Sequence, residues 1–219
     1  MRVRRRAVAL ILMVAAVGIA SPLRSQTTTP TSTQLLALID PINRSAEALE
    51  KLTSAFTELA RSGTAGWDEI QLRRARSDLI ELSQGLVTLH STQVVQTIPA
   101  LIGYRMEPTG TNWANAMKSA YRTLVLARGM LKTLRNQHSE VVLQPSYSAL
   151  DLTLSTRESL LSKLLNTTPP KTKEELAALR KVTDAYITLS EALADATTAL
   201  NAYSAKLGEP PAKGSAGSN

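Results

Sequence analysis

The amino-acid sequence predicts an all-α protein, an elongated antiparallel up-and-down bundle of four to five long helices with coiled-coil-like packing. Three observations predict it. Apolar residues recur at three- and four-residue spacing through nearly all of residues 34–207. No stretch alternates with the period of a strand for long. The breaks between periodic stretches carry glycine, proline and capping residues, the punctuation of helix ends.

The first helix presents Leu35, Leu38, Ile42, Leu49, Leu52, Phe56 and Leu59, with Ser45 as its polar intruder, and closes at Gly63. Asp40 and Pro41 read as a cap and a first-turn proline, so the residues before them form a separate short turn or mark a kink. The second helix starts near Asp68 and continues through Leu72, Ala75, Leu79, Leu82, Leu86 and Leu89. Pro99 ends or kinks it, which leaves open whether residues 98–106 continue the same rod. The third helix fills "NWANAMKSAYRTLVLARGMLKTLRNQH", Asn112 to His138. The fourth follows Pro145, faces Tyr147, Leu150, Leu154, Leu161 and Leu164 or Leu165 inward, and stops at "NTTPPKT". The fifth opens on a capping box, Thr172 with Glu175. Its seam is Leu179, Val182, Tyr186, Leu189, Leu193, Ala196, Leu200, Tyr203 and Leu207, and Gly208 stops it. Such helices reach about 40 to 50 Å at 1.5 Å per residue. Each apolar seam is too narrow to be buried alone, so residues 34–207 read as one domain.

The flanks have another character. Residues 1–20, "MRVRRRAVALILMVAAVGIA", join a basic start to an uncharged apolar run from Ala7 to Ala20, the anatomy of a secretory signal peptide. That run falls short of the roughly 20 residues a membrane-crossing helix needs. The expectation is an exported chain, periplasmic or extracellular; the competing reading keeps the segment as an uncleaved N-terminal membrane anchor. Residues 21–33 are threonine-rich and read as a flexible linker, and residues 208–219 as a disordered tail. Four arginines lie in the signal, so from Ser21 onward 21 basic side chains face 18 acidic ones, a net +3. A global field that steers polyanions is not implied. The chain has no cysteine, which excludes disulfides, thiolate metal sites, covalent haem attachment and a lipid anchor on cysteine.

Charge is concentrated at one place. Lys118, Arg122, Arg128, Lys132 and Arg135 fall within an arc of about 140° on the third helix, and no acid shares that helix. Either acids on neighbouring helices answer them, with Glu47, Glu50, Glu81, Asp184 and Asp195 as candidates, or the strip binds an anionic lipid, an envelope polymer or an acidic protein partner. Nucleic acid fits poorly, because Tyr121 is the one aromatic residue near the strip that could stack on a base.

His90 and His138 are the sole histidines and the low-probability candidates for a haem or metal carrier. Neither has a carboxylate three or four residues away on the same face, so no metal site and no cofactor is expected. Met106, Met117 and Met130 read as core fillers, and Trp67 and Trp113 as plugs at helix starts. Glu174 with Glu175, and Asp68 with Glu69, fall in first turns and complement helix dipoles. With no nucleophile elbow, phosphate loop or HExxH pair, the expectation is a non-enzymatic exported bundle. It would act by protein–protein interaction in the cell envelope or periplasm, with anionic lipid or polymer binding through the third-helix strip as the alternative.

Overall fold

The computed structural model describes residues 31–63 and 67–207, apart from the side chains of residues 60–63. The expected signal peptide, residues 21–30 of the expected linker, Gly208 and the expected tail lie outside the described residues. The helices are α1 (Thr31–Leu36), α2 (Ile39–Gly63), α3 (Glu69–Thr92), α4 (Ile98–Met106), α5 (Gly110–Gln137), α6 (Gln144–Leu165) and α7 (Lys173–Lys206). No strand occurs among the described residues. The fold is therefore an all-α bundle of five long packed rods.

Local chemistry accounts for most element boundaries. Asp68 accepts from the Gln71 amide while the Gln71 side chain accepts from the Asp68 amide, a capping box that starts α3. Thr172 and Glu175 make the expected one at α7. Glu175 is held below the usual carboxylate range by the Thr172 amide first, then the Lys171 amide. Asp40 is not a cap as expected. The helix begins at Ile39 after a turn at Ala37 and Leu38, and Asp40 pairs instead with Arg44 one turn on. Thr31, Ser32 and Thr33, expected as linker, already belong to α1, and Ser32 is buried.

Pro99 neither ends the second rod nor leaves a sharp break. Residues Gln93–Thr97 form a π turn, closed by the Ile98 amide donating to the Gln93 carbonyl, and Pro99 then occupies the first turn of α4. Proline cannot donate to the carbonyl behind it and its ring crowds that carbonyl. One inserted residue relieves both problems and keeps the rod continuous to Met106.

The rods form a ring. α7 packs on α3 and α2, α2 on α6, α6 on α5, and α5 on α3, while α1 and α4 complete one end against α7. Direction alternates along the chain: Ser83–Asn201 and Gln93–Tyr186 run α3 against α7 antiparallel, and Tyr121–Glu158 and Arg135–Asp151 do so for α5 and α6. An odd ring of alternating rods must contain one parallel pair, and it is α2 with α7. Leu49 and Leu52 meet α7 at Leu189 and Leu193, while Phe56 and Leu59 lie near Leu207. The other four neighbouring pairs run antiparallel, as an up-and-down bundle requires. Consecutive α2 and α3, and α6 and α7, are not neighbours among the described residues. The loop before α7 is pinned instead by the Tyr104 hydroxyl donating to the Pro170 carbonyl.

The core matches the predicted seams closely, from Leu35 through Phe56, Leu79 through Leu89, and Leu179 through Tyr203. Trp113 is buried against Tyr104, ring centres 5.2 Å apart, and plugs one end. Trp67 stays partly exposed beside Phe56 and Leu207 at the other end. Met117 and Met130 fill core space, whereas Met106 is 82 % exposed and is no filler.

Candidate functional site

Three places in this fold carry chemistry: the basic strip on α5, the outer face of the α3–α4 rod, and a polar layer on the bundle axis.

The strip lies on the outside of α5, as its spacing predicts, and all five cations are exposed. Its neighbours answer two of them. Arg128 pairs with Glu158 and Arg135 with Asp151 at 3.6 Å, both acids standing on α6. Tyr121 also donates to Glu158, at 3.2 Å. The expected acids Glu47, Glu50, Glu81, Asp184 and Asp195 make no ion pair with the strip among the described residues. The reason is ring order: α6 is the neighbour on the basic side of α5, α2 and α7 are not packed beside α5, and Glu81 on α3 meets Gln137 on the opposite side instead. Lys118, Arg122 and Lys132 are left as exposed cations without an ion pair among the described residues, around exposed Val125.

The two histidines do not converge. His138 packs edge-on against Phe56, ring centres 5.1 Å apart, with Glu140 3.9 Å from its Nδ1. Gln137 reaches Glu81 across the α3–α5 interface at 3.2 Å, which sets His138 level with residue 81. His90 is nine residues further along α3, about 13 Å at helical rise. They cannot share one ion or one haem iron in this arrangement. Among the described residues no group of three or more His, Cys, Asp or Glu is placed to hold a metal ion.

The outer face of α3–α4 was not anticipated from the sequence. Ile80, Val87 and Val94 are seven residues apart, and Ile102 follows eight later, the extra residue being the one the π turn absorbs. They stand exposed at 40 %, 49 %, 42 % and 39 %, in one line along the rod. From Leu82 to Tyr104 the rod carries no Asp, Glu, Lys or Arg. No helix among the described residues is long and apolar enough to cross a membrane.

The axial layer breaks the apolar core at mid-height. Ser45 donates to the Pro41 carbonyl at 2.7 Å and lies 3.0 Å from the Thr153 hydroxyl; Thr97 meets Thr123 at 2.7 Å and Ser119 at 3.1 Å. Gln93 donates its amide N–H to the Tyr186 carbonyl at 2.5 Å. Arg157 joins this layer at 2 % exposure, its guanidinium carbon 5.5 Å from the centre of the Tyr186 ring. Arg157 Nε, Gln93 Oε1 and the Tyr186 hydroxyl have no hydrogen-bond partner among the described residues, and no carboxylate pairs with Arg157 there. The sequence held the signal. The α6 seam Leu150, Leu154, Leu161, Leu164 omits one three-four step, and the residue at that step is Arg157. Ser45 and Gln93 occupy the corresponding seam positions of α2 and of the α3–π rod.

No protein-family model, curated protein or solved structure matches this chain.

Proposed function

We propose that this chain is a non-enzymatic bundle that works by protein–protein interaction, docking one amphipathic helix of a partner along the outer face of α3–α4. The observation that carries the reading is the exposed ladder Ile80, Val87, Val94 and Ile102 on a rod without Asp, Glu, Lys or Arg from Leu82 to Tyr104. Seven-residue apolar spacing on an open helical face is what a second helix packs against. Depletion of charge at the centre of such a patch is also the compositional mark of an interface core. The basic start and apolar run of residues 1–20 support action outside the cytoplasm, in the envelope or periplasm.

A photoreactive residue at Val94 tests the reading in intact cells. A discrete cross-linked product is expected from position 94, lost when Val87→Asp is added, with no product from a control at exposed Thr198 on α7. The absence of any discrete product from position 94 ends the proposal. A product of twice the chain mass identifies the partner helix as α3–α4 of a second copy.

A second reading is supported by the three strip cations without an ion pair among the described residues, Lys118, Arg122 and Lys132. They would hold an anionic lipid surface or envelope polymer, as a weak contact that salt screens. The triple alanine variant should lose salt-sensitive sedimentation with vesicles containing phosphatidylglycerol and stay indifferent to neutral phosphatidylcholine vesicles. Equal sedimentation of variant and parent removes this reading.

A further inference from the structure

The axial layer encloses free space whose shape and chemistry no packing role explains. A small, partly open cavity of about 50 Å³ is walled by leucines from five rods, among them Leu52, Leu131, Leu154 and Leu193. Two of its lining groups are polar and unsatisfied: the guanidinium of Arg157, through Nε, and Oε1 of Gln93. The other polar residues in its wall, Ser45 and Thr123, already have partners.

We propose that this cavity binds a monocarboxylate with a short apolar tail, Arg157 holding the carboxylate and the leucine walls holding the tail. The charge follows from the arginine. A cation 98 % removed from water with no carboxylate beside it among the described residues lacks the counter-charge that a buried guanidinium ordinarily has. The planar guanidinium fork matches a carboxylate in shape as well as charge. The number of charges follows from Gln93. Its amide N–H is committed to the Tyr186 carbonyl, so the atom left facing outward is an acceptor, which opposes a second anionic group and takes a water or hydroxyl proton. The tail follows from the walls, because a bare inorganic anion leaves the leucines unused and a neutral hydrocarbon leaves the arginine unanswered. A route in is also present. Met130 and Leu134 line both this cavity and the surface groove between α3 and α5 where Gln84 and Thr88 stand. Met130 is half-buried, and its flexible thioether is the wall most able to move. The proposal is independent of docking along α3–α4.

The full chain titrated with butanoate carrying a ¹³C carboxyl label tests it by NMR. The expected result is one saturable bound resonance at one equivalent, with butan-1-ol and formate both binding more weakly. Arg157→Met should weaken butanoate by about ten- to a hundredfold, the loss of one charge-assisted hydrogen-bonding partner. Arg157→Lys should fall between the two. Helical circular dichroism establishes that the variants fold. Should Arg157→Met not fold, the lysine variant and the butanoate-to-butanol ratio decide. Butanoate that fails to saturate, butan-1-ol or formate that binds as tightly, or an Arg157→Met variant that binds butanoate like the parent would each overturn the assignment and leave a water-filled or small-anion cavity.

Discussion

Arg157 and Glu158 are consecutive on α6, carry opposite charges, and belong to different worlds. Glu158 stands at the surface and is shared by Arg128 and Tyr121 of α5. Arg157, 100° round the helix, is sealed in the core over Tyr186 with no carboxylate in reach among the described residues. The surface pair exists where water could have served either partner almost as well. The interior cation is almost wholly withdrawn from bulk water, so its environment has to be explained by something else. The lesson is that ion pairs mark the places where charge matters least in this molecule, and a missing pair marks the place where it matters most.

The largest effect expected from breaking this contrast comes from the interior. Replacing Arg157 by methionine keeps an unbranched apolar stem and removes the uncompensated charge, so the ligand-free chain should gain about 1–4 kcal/mol in urea unfolding. A cation over a desolvated ring recovers only about 2 kcal/mol. A loss of stability instead would mean that Tyr186 and enclosed water satisfy Arg157 fully. In that event the core would contain a structural arginine and the contrast with Glu158 would collapse.

A smaller effect sharpens the same contrast through pH. Tyr104 and Tyr147 are both fully buried, near opposite ends of the bundle. Burial raises both phenols above the ordinary value of 10, with Glu175 adding to Tyr104, and with Glu140 adding to and Arg135 opposing the rise at Tyr147. The folded chain therefore holds these protons after the unfolded chain has released them. Their contribution to stability is intact below pH 10 and is lost as pH rises above it, at up to about 1.4 kcal/mol per unit for each group. Urea midpoints at pH 8 and 10.5 should show that fall. Tyr147→Phe should flatten it, because the removed hydroxyl makes only a long 3.5 Å bond to the Leu134 carbonyl. An unchanged slope in Tyr147→Phe would show that this phenol reaches water in the folded state.

Much of the fold was legible in the sequence because a bundle is written in one repeating code. Seam residues from Leu35 to Tyr203 entered the core where their spacing put them, and the capping box at Thr172 and Glu175 formed as read. What escaped were features fixed by which rods become neighbours. The acids that answer Arg128 and Arg135 sit on α6 because the ring places α6 beside α5, and nothing in either helix alone encodes that order. The continuity of α3 into α4 depended on whether Pro99 would break the rod or be absorbed by a π turn, two outcomes with one sequence signature. Arg157 is a different kind of miss. Its place in the α6 seam was readable from the step between Leu154 and Leu161, and a charged residue at a core step is the pattern that single-helix reading should flag.

The smallest expected effect tests the surface half of the comparison. Arg128 pairs with Glu158 at side chains 43 % and 34 % exposed, whereas Lys118, nearly three turns away on the same strip, has no ion pair among the described residues. If exposed pairs contribute little, Arg128→Gln should cost well under 1 kcal/mol, scarcely more than Lys118→Gln. Removing Arg128 also frees Glu158 to keep its contact with Tyr121, which limits the loss further. Urea unfolding of the two variants at low and at half-molar salt decides it. The difference between them should be a few tenths of a kcal/mol at low salt and vanish at high salt, since screening shortens to a few ångströms. A difference above 1 kcal/mol that survives salt would place Arg128, Glu158 and Tyr121 among the structural contacts of the α5–α6 hairpin. The strip would then be a clasp between two helices at one end and an open cationic surface only at Lys118, Arg122 and Lys132.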